Sequence, residues 1–122
     1  MNDNPRDLVV GVDLGATTVR AGVFTPQGEL LVVQQTEIKA RRGPEAGLQR
    51  IIRLIEQTLH EANQSGAAPV RMLGIGVGST GPADARRGVL VNPLTLPGWI
   101  EVPVVARLTA HFGVPACPPP RP

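Results

Sequence analysis

Leu8 to Val12 is an apolar run that stops at Asp13, and Val19 to Phe24 is a second apolar run that begins directly after Thr17-Thr18. Both are strand-length and rich in valine, and Gly15 between them allows a tight turn. No helix fits between them. A dinucleotide-binding or P-loop site would place a helix immediately after the glycine turn, so those folds are excluded and a strand-turn-strand unit remains. Pro26-Gln27-Gly28-Glu29 is a further turn signal, and Leu30 to Val33 supplies a third strand. The opening segment therefore reads as a three-stranded antiparallel meander.

Gly43-Pro44-Glu45 marks a helix start, with proline in the first turn and an acid at the positive end of the helix dipole. Leu48, Ile51, Ile52, Ile55, Leu59 and Ala62 recur at helical spacing, with Gln49, Arg50, Arg53, Glu56, Gln57 and His60 on the other face, and Gly66 stops the pattern. Val70 to Val77 reads as a buried strand, whereas Gly76 to Pro82 reads as a loop because glycine and proline weaken sheet pairing. Gly88 to Val91 adds a short strand. Pro103 opens a second amphipathic helix through Val104, Val105, Leu108 and Phe112, closed by Gly113. The fold class is α/β, with helix, strand and helix following the meander. Residues 1–7 are expected to be a disordered N-terminus, 8–115 a partial domain and 116–122 a proline-rich non-family tail, whose last six residues, Cys117 to Pro122, cannot form a central strand.

Composition limits the function classes. Phe24, Trp99 and Phe112 are the only aromatic residues among 122, which leaves few platforms for stacking bases, and the net charge is only +2. Arg41-Arg42 and Arg86-Arg87 are isolated pairs, read as solvated charge and not as a polyanion site, so no nucleic acid partner is expected. Cys117 is the sole cysteine, which rules out an intrachain disulfide or a cysteine-based zinc cluster. The polar N-terminus and the short apolar runs predict neither a signal peptide nor a membrane span, and a cytoplasmic location follows as the expectation.

Asp13-Leu14-Gly15-Ala16-Thr17-Thr18 combines what a nucleotide phosphate site needs. Backbone amides at a glycine turn can face an anion, threonine hydroxyls donate to phosphate oxygens, and the carboxylate can hold Mg²⁺ through water. On these residues alone the segment also reads as an ordinary hairpin turn with a solvated aspartate, since Asp-x-Gly is common in turns. In Asn92-Pro93 the asparagine can donate to and accept from a sugar hydroxyl, and the pair is equally a favoured turn. Trp99, near Pro97 and Ile100, reads as a packing anchor. His60 and His111 read as surface or core-edge residues, and nothing around Cys117 lowers its pKa enough to mark it as reactive.

The run from Val9 to Phe24 resembles the first phosphate-binding motif of the superfamily that includes actin, the heat-shock chaperone ATPases and hexokinase. Leu73 to Asp84, Gly88 to Pro93 and Leu96 to Trp99 are in turn similar to the ROK (repressor, ORF, kinase) sugar kinases, where such a run leads from a glycine loop to a tryptophan. The resemblance implies a partial ribonuclease H-like actin ATPase subdomain. It implies that Asp13, Gly15, Ala16, Thr17 and Thr18 meet Mg-ATP and that Gly81, Pro82 and Asn92 line a hexose. Ala16 departs from the family's Asp-x-Gly-Gly-Thr by one methyl group, which tightens the approach of phosphate and removes no donor. After Phe112-Gly-Val-Pro115 the kinases of this family enter a strand ending in Glu-Asn-Asp, whose aspartate is the general base, whereas Ala116-Cys-Pro-Pro-Pro-Arg-Pro122 stands here. The expectation is an N-terminal fragment of an ATP-dependent hexose kinase, glucokinase-like and inactive by itself, with ATP and Mg²⁺ as the cofactors and hexose and ATP as the small-molecule partners of an intact, homo-oligomeric relative. The family's zinc segment is absent from these residues. The rival expectations are a ROK-type transcriptional regulator, disfavoured because seven residues precede the first strand, and a catalytically dead sugar-binding protein.

Overall fold

The structure is a computed structural model that describes residues 6–15, 17–64, 70–79, 83–84, 89–90 and 103–117. Strands β1 (Arg6–Leu14), β2 (Thr18–Phe24) and β3 (Leu30–Glu37) form the expected antiparallel meander, and α1 (Pro44–Gln64) crosses back to β4 (Val70–Ser79). A two-residue pair, β5 (Ala83–Asp84) and β6 (Val89–Leu90), precedes α2 (Val104–Phe112) and the short strand β7 (Ala116–Cys117). The main sheet runs β3-β2-β1-β4-β7, with β4 parallel to both β1 and β7.

Alternation along the strands decides which face is covered. Leu8, Val10, Val12 and Leu14 of β1, Val19, Ala21 and Val23 of β2, and Ile75 and Val77 of β4 are all buried in one core with Leu48, Ile51, Ile52 and Ile55 of α1 and Val104 and Leu108 of α2. The described helices thus form one layer on one side of the sheet. Polar contacts tie them together: Arg107 donates both ways to the Glu45 carboxylate at 2.6 Å, and His111 Nε2 lies 3.6 Å from Glu56 Oε2. The helix ends follow from local chemistry. Gly113 takes a left-handed φ of 70° and returns its N–H to Thr109 O at 2.9 Å, which a residue with a Cβ would do only under strain.

Several boundaries differ from the sequence reading. The segment Gly76 to Ser79, read as loop, continues β4, because Gly76, Val77, Gly78 and Ser79 pair with Gly11, Val12, Asp13 and Leu14 of β1. Glycine has low strand preference, but Val77 is buried and the parallel partner strand supplies the pairing that propensity lacks. β3 extends past Val33 to Glu37, since its inward polar side chains are satisfied by α1: Thr58 Oγ1 and Gln34 Oε1 lie 3.2 Å apart, and Arg50 donates to Thr36 Oγ1 at 3.3 Å and to Glu37 O at 2.7 Å. β1 begins at Arg6, whose guanidinium donates to Ala62 O near the end of α1 at 2.9 Å. Strand pairing also runs two residues beyond Pro115, because Ala116 and Cys117 still carry amide hydrogens and only the prolines after them lack one.

Candidate functional site

The β1–β2 hairpin holds the first motif. Strand pairing runs up to Leu14 and Val19, and the loop above it is closed by Gly15 N–H donating to Thr18 O at 2.8 Å. A Cβ at Gly15 would lie 3.0 Å from Thr18 O and 3.7 Å from Thr18 Oγ1, so this position takes no side chain without moving the backbone. Ile38 N–H donates to Thr17 O at 2.9 Å, which ties the loop to the end of β3. Thr17 is exposed and Thr18 half-buried at the start of β2, and Ala16 lies outside the described residues.

Asp13 sits within β1, one residue before its end, and is exposed on the face opposite the helices. Its register neighbours are Arg20 on β2 and Gly78 on β4. Among the described residues, neither the Asp13 carboxylate nor the Arg20 guanidinium has a hydrogen-bond or ion-pair partner. Both groups therefore face the surroundings with their bonding capacity unused, and a carboxylate with free lone pairs suits a hydrated Mg²⁺ on a nucleotide.

Parallel pairing brings the two sequence motifs together. Gly78 and Ser79, where the second motif begins, lie beside Asp13 and Leu14, and the carboxyl ends of β1 and β4 point the same way. In open α/β sheets ligands bind outside such carboxyl ends. The sugar-side candidates Gly81, Pro82 and Asn92, with Trp99, lie outside the described residues. Sequence reading missed Arg20 and Gly78, because each is brought beside Asp13 by strand pairing, the hairpin register for Arg20 and the parallel partner strand for Gly78, and not by spacing along the chain. An open concavity of ≈ 420 Å³ runs along this face below the hairpin and includes Asp13, Arg20, Phe24, Val33 and Gly78. It does not extend around the loop at 15–18. No described helix is long and apolar enough to cross a membrane.

Comparison with known proteins places this arrangement. The glucokinase of Thermotoga maritima is 31% identical over 111 residues, which cover 89% of this chain and 32% of that protein. The crystal structure of a ROK hexokinase from Thermus thermophilus superposes with a TM-score of 0.78 at 33% identity, over 92% of this chain and 34% of the hexokinase. A ROK family transcriptional regulator, a homologue of the E. coli MLC protein, matches in fold with the same TM-score of 0.78 at 14% identity, over 92% of this chain and 27% of its own. The chain thus spans about a third of the length of these kinases. The ROK family model matches residues 9–117, from the first hairpin strand through β7, and with the sheet order and the converging strand ends it establishes that this chain belongs to the ROK family.

Proposed function

We propose that this chain is the phosphate-binding part of an ATP-dependent hexose kinase. The observation that carries the reading is the convergence of Asp13 with Gly78 and Ser79 at the carboxyl ends of two parallel strands, beside the Gly15 to Thr18 turn. In this reading the turn's backbone amides and the Thr17 and Thr18 hydroxyls hold the nucleotide phosphates, and Asp13 holds hydrated Mg²⁺ against them. When bound, the metal supplies charge neutralisation of the phosphoryl group in transfer. Gly15 N–H is spent on Thr18 O, which holds Thr17 and Thr18 at the end of the hairpin before substrate arrives, so in this reading their hydroxyls are donors already in place. Gly81, Pro82 and Asn92 contact the hexose.

The test uses residues 6–117 of this chain grafted in place of the matching third of the Thermus thermophilus hexokinase. Asp13→Asn keeps the shape of the side chain and removes its charge, so kcat should fall about 10²-fold or more with the hexose KM nearly unchanged. A variant that keeps kcat and raises only the hexose KM would move Asp13 to the sugar site. The isolated 122-residue chain should show no glucose phosphorylation with MgATP, and turnover of about 1 s⁻¹ would overturn that expectation. A second reading, the sugar-sensing part of a regulator, is favoured by the fold match to the MLC homologue. It requires the same graft to bind hexose while transferring no phosphoryl group.

A further inference from the structure

β3 is an outer strand of the main sheet, and its far edge is unpaired among the described residues. A strand in that position usually carries a lysine, a proline or a mid-strand bulge that keeps other chains from adding to it. β3 reads Leu-Leu-Val-Val-Gln-Gln-Thr-Glu and carries neither residue, and its one irregularity falls at its start, opposite Val23 and Phe24. Leu30, Leu31 and Val33 are exposed along it.

The register fixes which backbone groups are open. Ile38 N–H donates to Thr17 O, so Thr36 and Gln34 turn the same way, toward their partners Val19 and Ala21 on β2. Val33, Gln35 and Glu37 therefore turn their N–H and C=O groups outward. Glu37 O accepts from Arg50 Nε at 2.7 Å, which leaves both groups of Val33 and Gln35, and the N–H of Glu37, for a partner.

α1 lies along the same edge. Arg50 donates to Thr36 and Glu37, and Thr58 meets Gln34, so α1 runs antiparallel to β3. A groove of ≈ 190 Å³ between them is lined by Thr36, Arg50, Arg53, Leu54 and Gln57. Arg53, Gln57 and Glu61 follow one another at four-residue spacing on this side of α1, all exposed. Among the described residues Arg53 has no hydrogen-bond or ion-pair partner.

We propose that β3 is a dimer seam, where a second copy of this chain pairs antiparallel about a two-fold axis at Gln34 and joins two five-stranded sheets into one. An outward residue must oppose an outward residue, so Val33 faces Gln35 of the second copy and the strands exchange both hydrogen bonds at each such pair. The charge on α1 chooses a second copy over any other strand. The same axis sets the two α1 helices side by side and antiparallel, centred next to Thr58, and Arg53 of each copy then faces Glu61 of the other. An axis at Val33 or Gln35 keeps the parity of the strands but slides the helices past each other by about 7 Å, more than a helical turn, and separates Arg53 from Glu61. The spacing fits as well. α1 packs over β2 and β3, so the two copies of it would lie about 10 Å apart, the distance of packed helices. The dimer does not depend on the kinase reading, because assembly and cross-linking report it without turnover.

Sedimentation of the full 122-residue chain tests the seam, with cross-linking to fix its register. The chain should be a dimer at about 100 µM. In a Cys117→Ser background, Gln34→Cys should close a disulfide across the axis under mild oxidation, because antiparallel neighbours of this kind stand about 4.5 Å apart at Cα. Val33→Cys should stay reduced, since its own counterpart is a diagonal neighbour about 7–8 Å away. Gln35→Pro removes an N–H that β2 does not use and should give a folded monomer by sedimentation and circular dichroism. Arg53→Glu and Glu61→Arg should each weaken the dimer at least ~5-fold, and the double variant should recover most of that loss. A parent chain that is monomeric at every concentration, folded or not, overturns the proposal. So does a disulfide at Val33→Cys but not at Gln34→Cys, or a dimer that survives Gln35→Pro, since the seam then lies elsewhere. If Gln35→Pro unfolds the chain, the charge variants, which leave the strands untouched, decide the matter, and a double variant that recovers nothing overturns the seam.

Discussion

The two faces of the main sheet are built from the same strands and share almost nothing else. On the covered face β1 and β2 present Leu8, Val10, Val12, Leu14, Val19, Ala21 and Val23, all buried under the helices. On the open face the intervening positions are Val9, Gly11, Asp13, Arg20, Gly22 and Phe24, a mixture of absent, charged and apolar side chains. Alternation with period two lets one stretch of sequence meet two demands at once. The covered face specifies the fold by packing apolar volume, and the open face is free to carry groups that would be costly inside a core.

The sharpest way to break this comparison is to truncate one apolar residue on each side. Ile55 is fully buried in α1 against the covered face, and Ile55→Ala should cost about 2–5 kcal/mol, enough to remove much of the stability of a domain this size. Val33 is 53% exposed on the other face, and Val33→Ala in the isolated chain should stay within about 0.5 kcal/mol. Urea unfolding of both variants, read by circular dichroism, checks the contrast. Equal losses would mean that the open face is packed as tightly as the covered one.

A smaller effect separates packing from polar satisfaction within the covered layer. Thr58 is fully buried, with its hydroxyl 2.7 Å from Leu54 O and 3.2 Å from Gln34 Oε1. Thr58→Val keeps the shape and removes those bonds, so it should cost about 1 kcal/mol in the same urea assay. Gly113→Ala should cost a similar ~1 kcal/mol, because the left-handed cap of α2 must then carry a Cβ. If either variant were as stable as the parent, the helix layer would be held by apolar contact alone.

The same contrast explains what could be read from the sequence. The covered face is written in valine, leucine and isoleucine at fixed spacing, so the meander, α1 and α2 were legible, with Pro44 and Gly113 marking ends. β4 was cut short because Gly76 and Gly78 look like loop, and their strand character comes from pairing with β1, which no local pattern encodes. The end of β3 was hidden because Gln34 and Thr36 are polar yet face α1, where Thr58 and Arg50 meet them. Gly15, Thr17 and Thr18 stood out as a turn with donors for an anion, and Asp13 as a carboxylate beside it. Arg20 did not, since its place beside Asp13 depends on the hairpin register and not on sequence proximity.

The smallest expected effect lies on the outer surface of the covered layer, where Glu45 of α1 and Arg107 of α2 join the two helices. Hydrogen bonds from Arg107 and then from Gln49 hold the Glu45 carboxyl at about 2, well below the usual 4.5. Its pKa is depressed in the folded state, so the folded protein keeps the charge where the unfolded chain would already be protonated. The contribution to stability is fully present above about pH 4.5, shrinks as the pH falls and is gone once the folded carboxyl protonates near pH 2. Because the pair is exposed, solvent and salt weaken it, and its effect should be small beside that of Ile55→Ala. Glu45→Gln should therefore lower the melting temperature slightly at pH 6 in low salt. The difference from the parent should shrink toward pH 2 and also in 1 M NaCl, as measured by calorimetry across that range. A difference that persists unchanged at pH 2 would show that Glu45 acts through its shape and not its charge, and that the helix layer owes nothing to this surface pair.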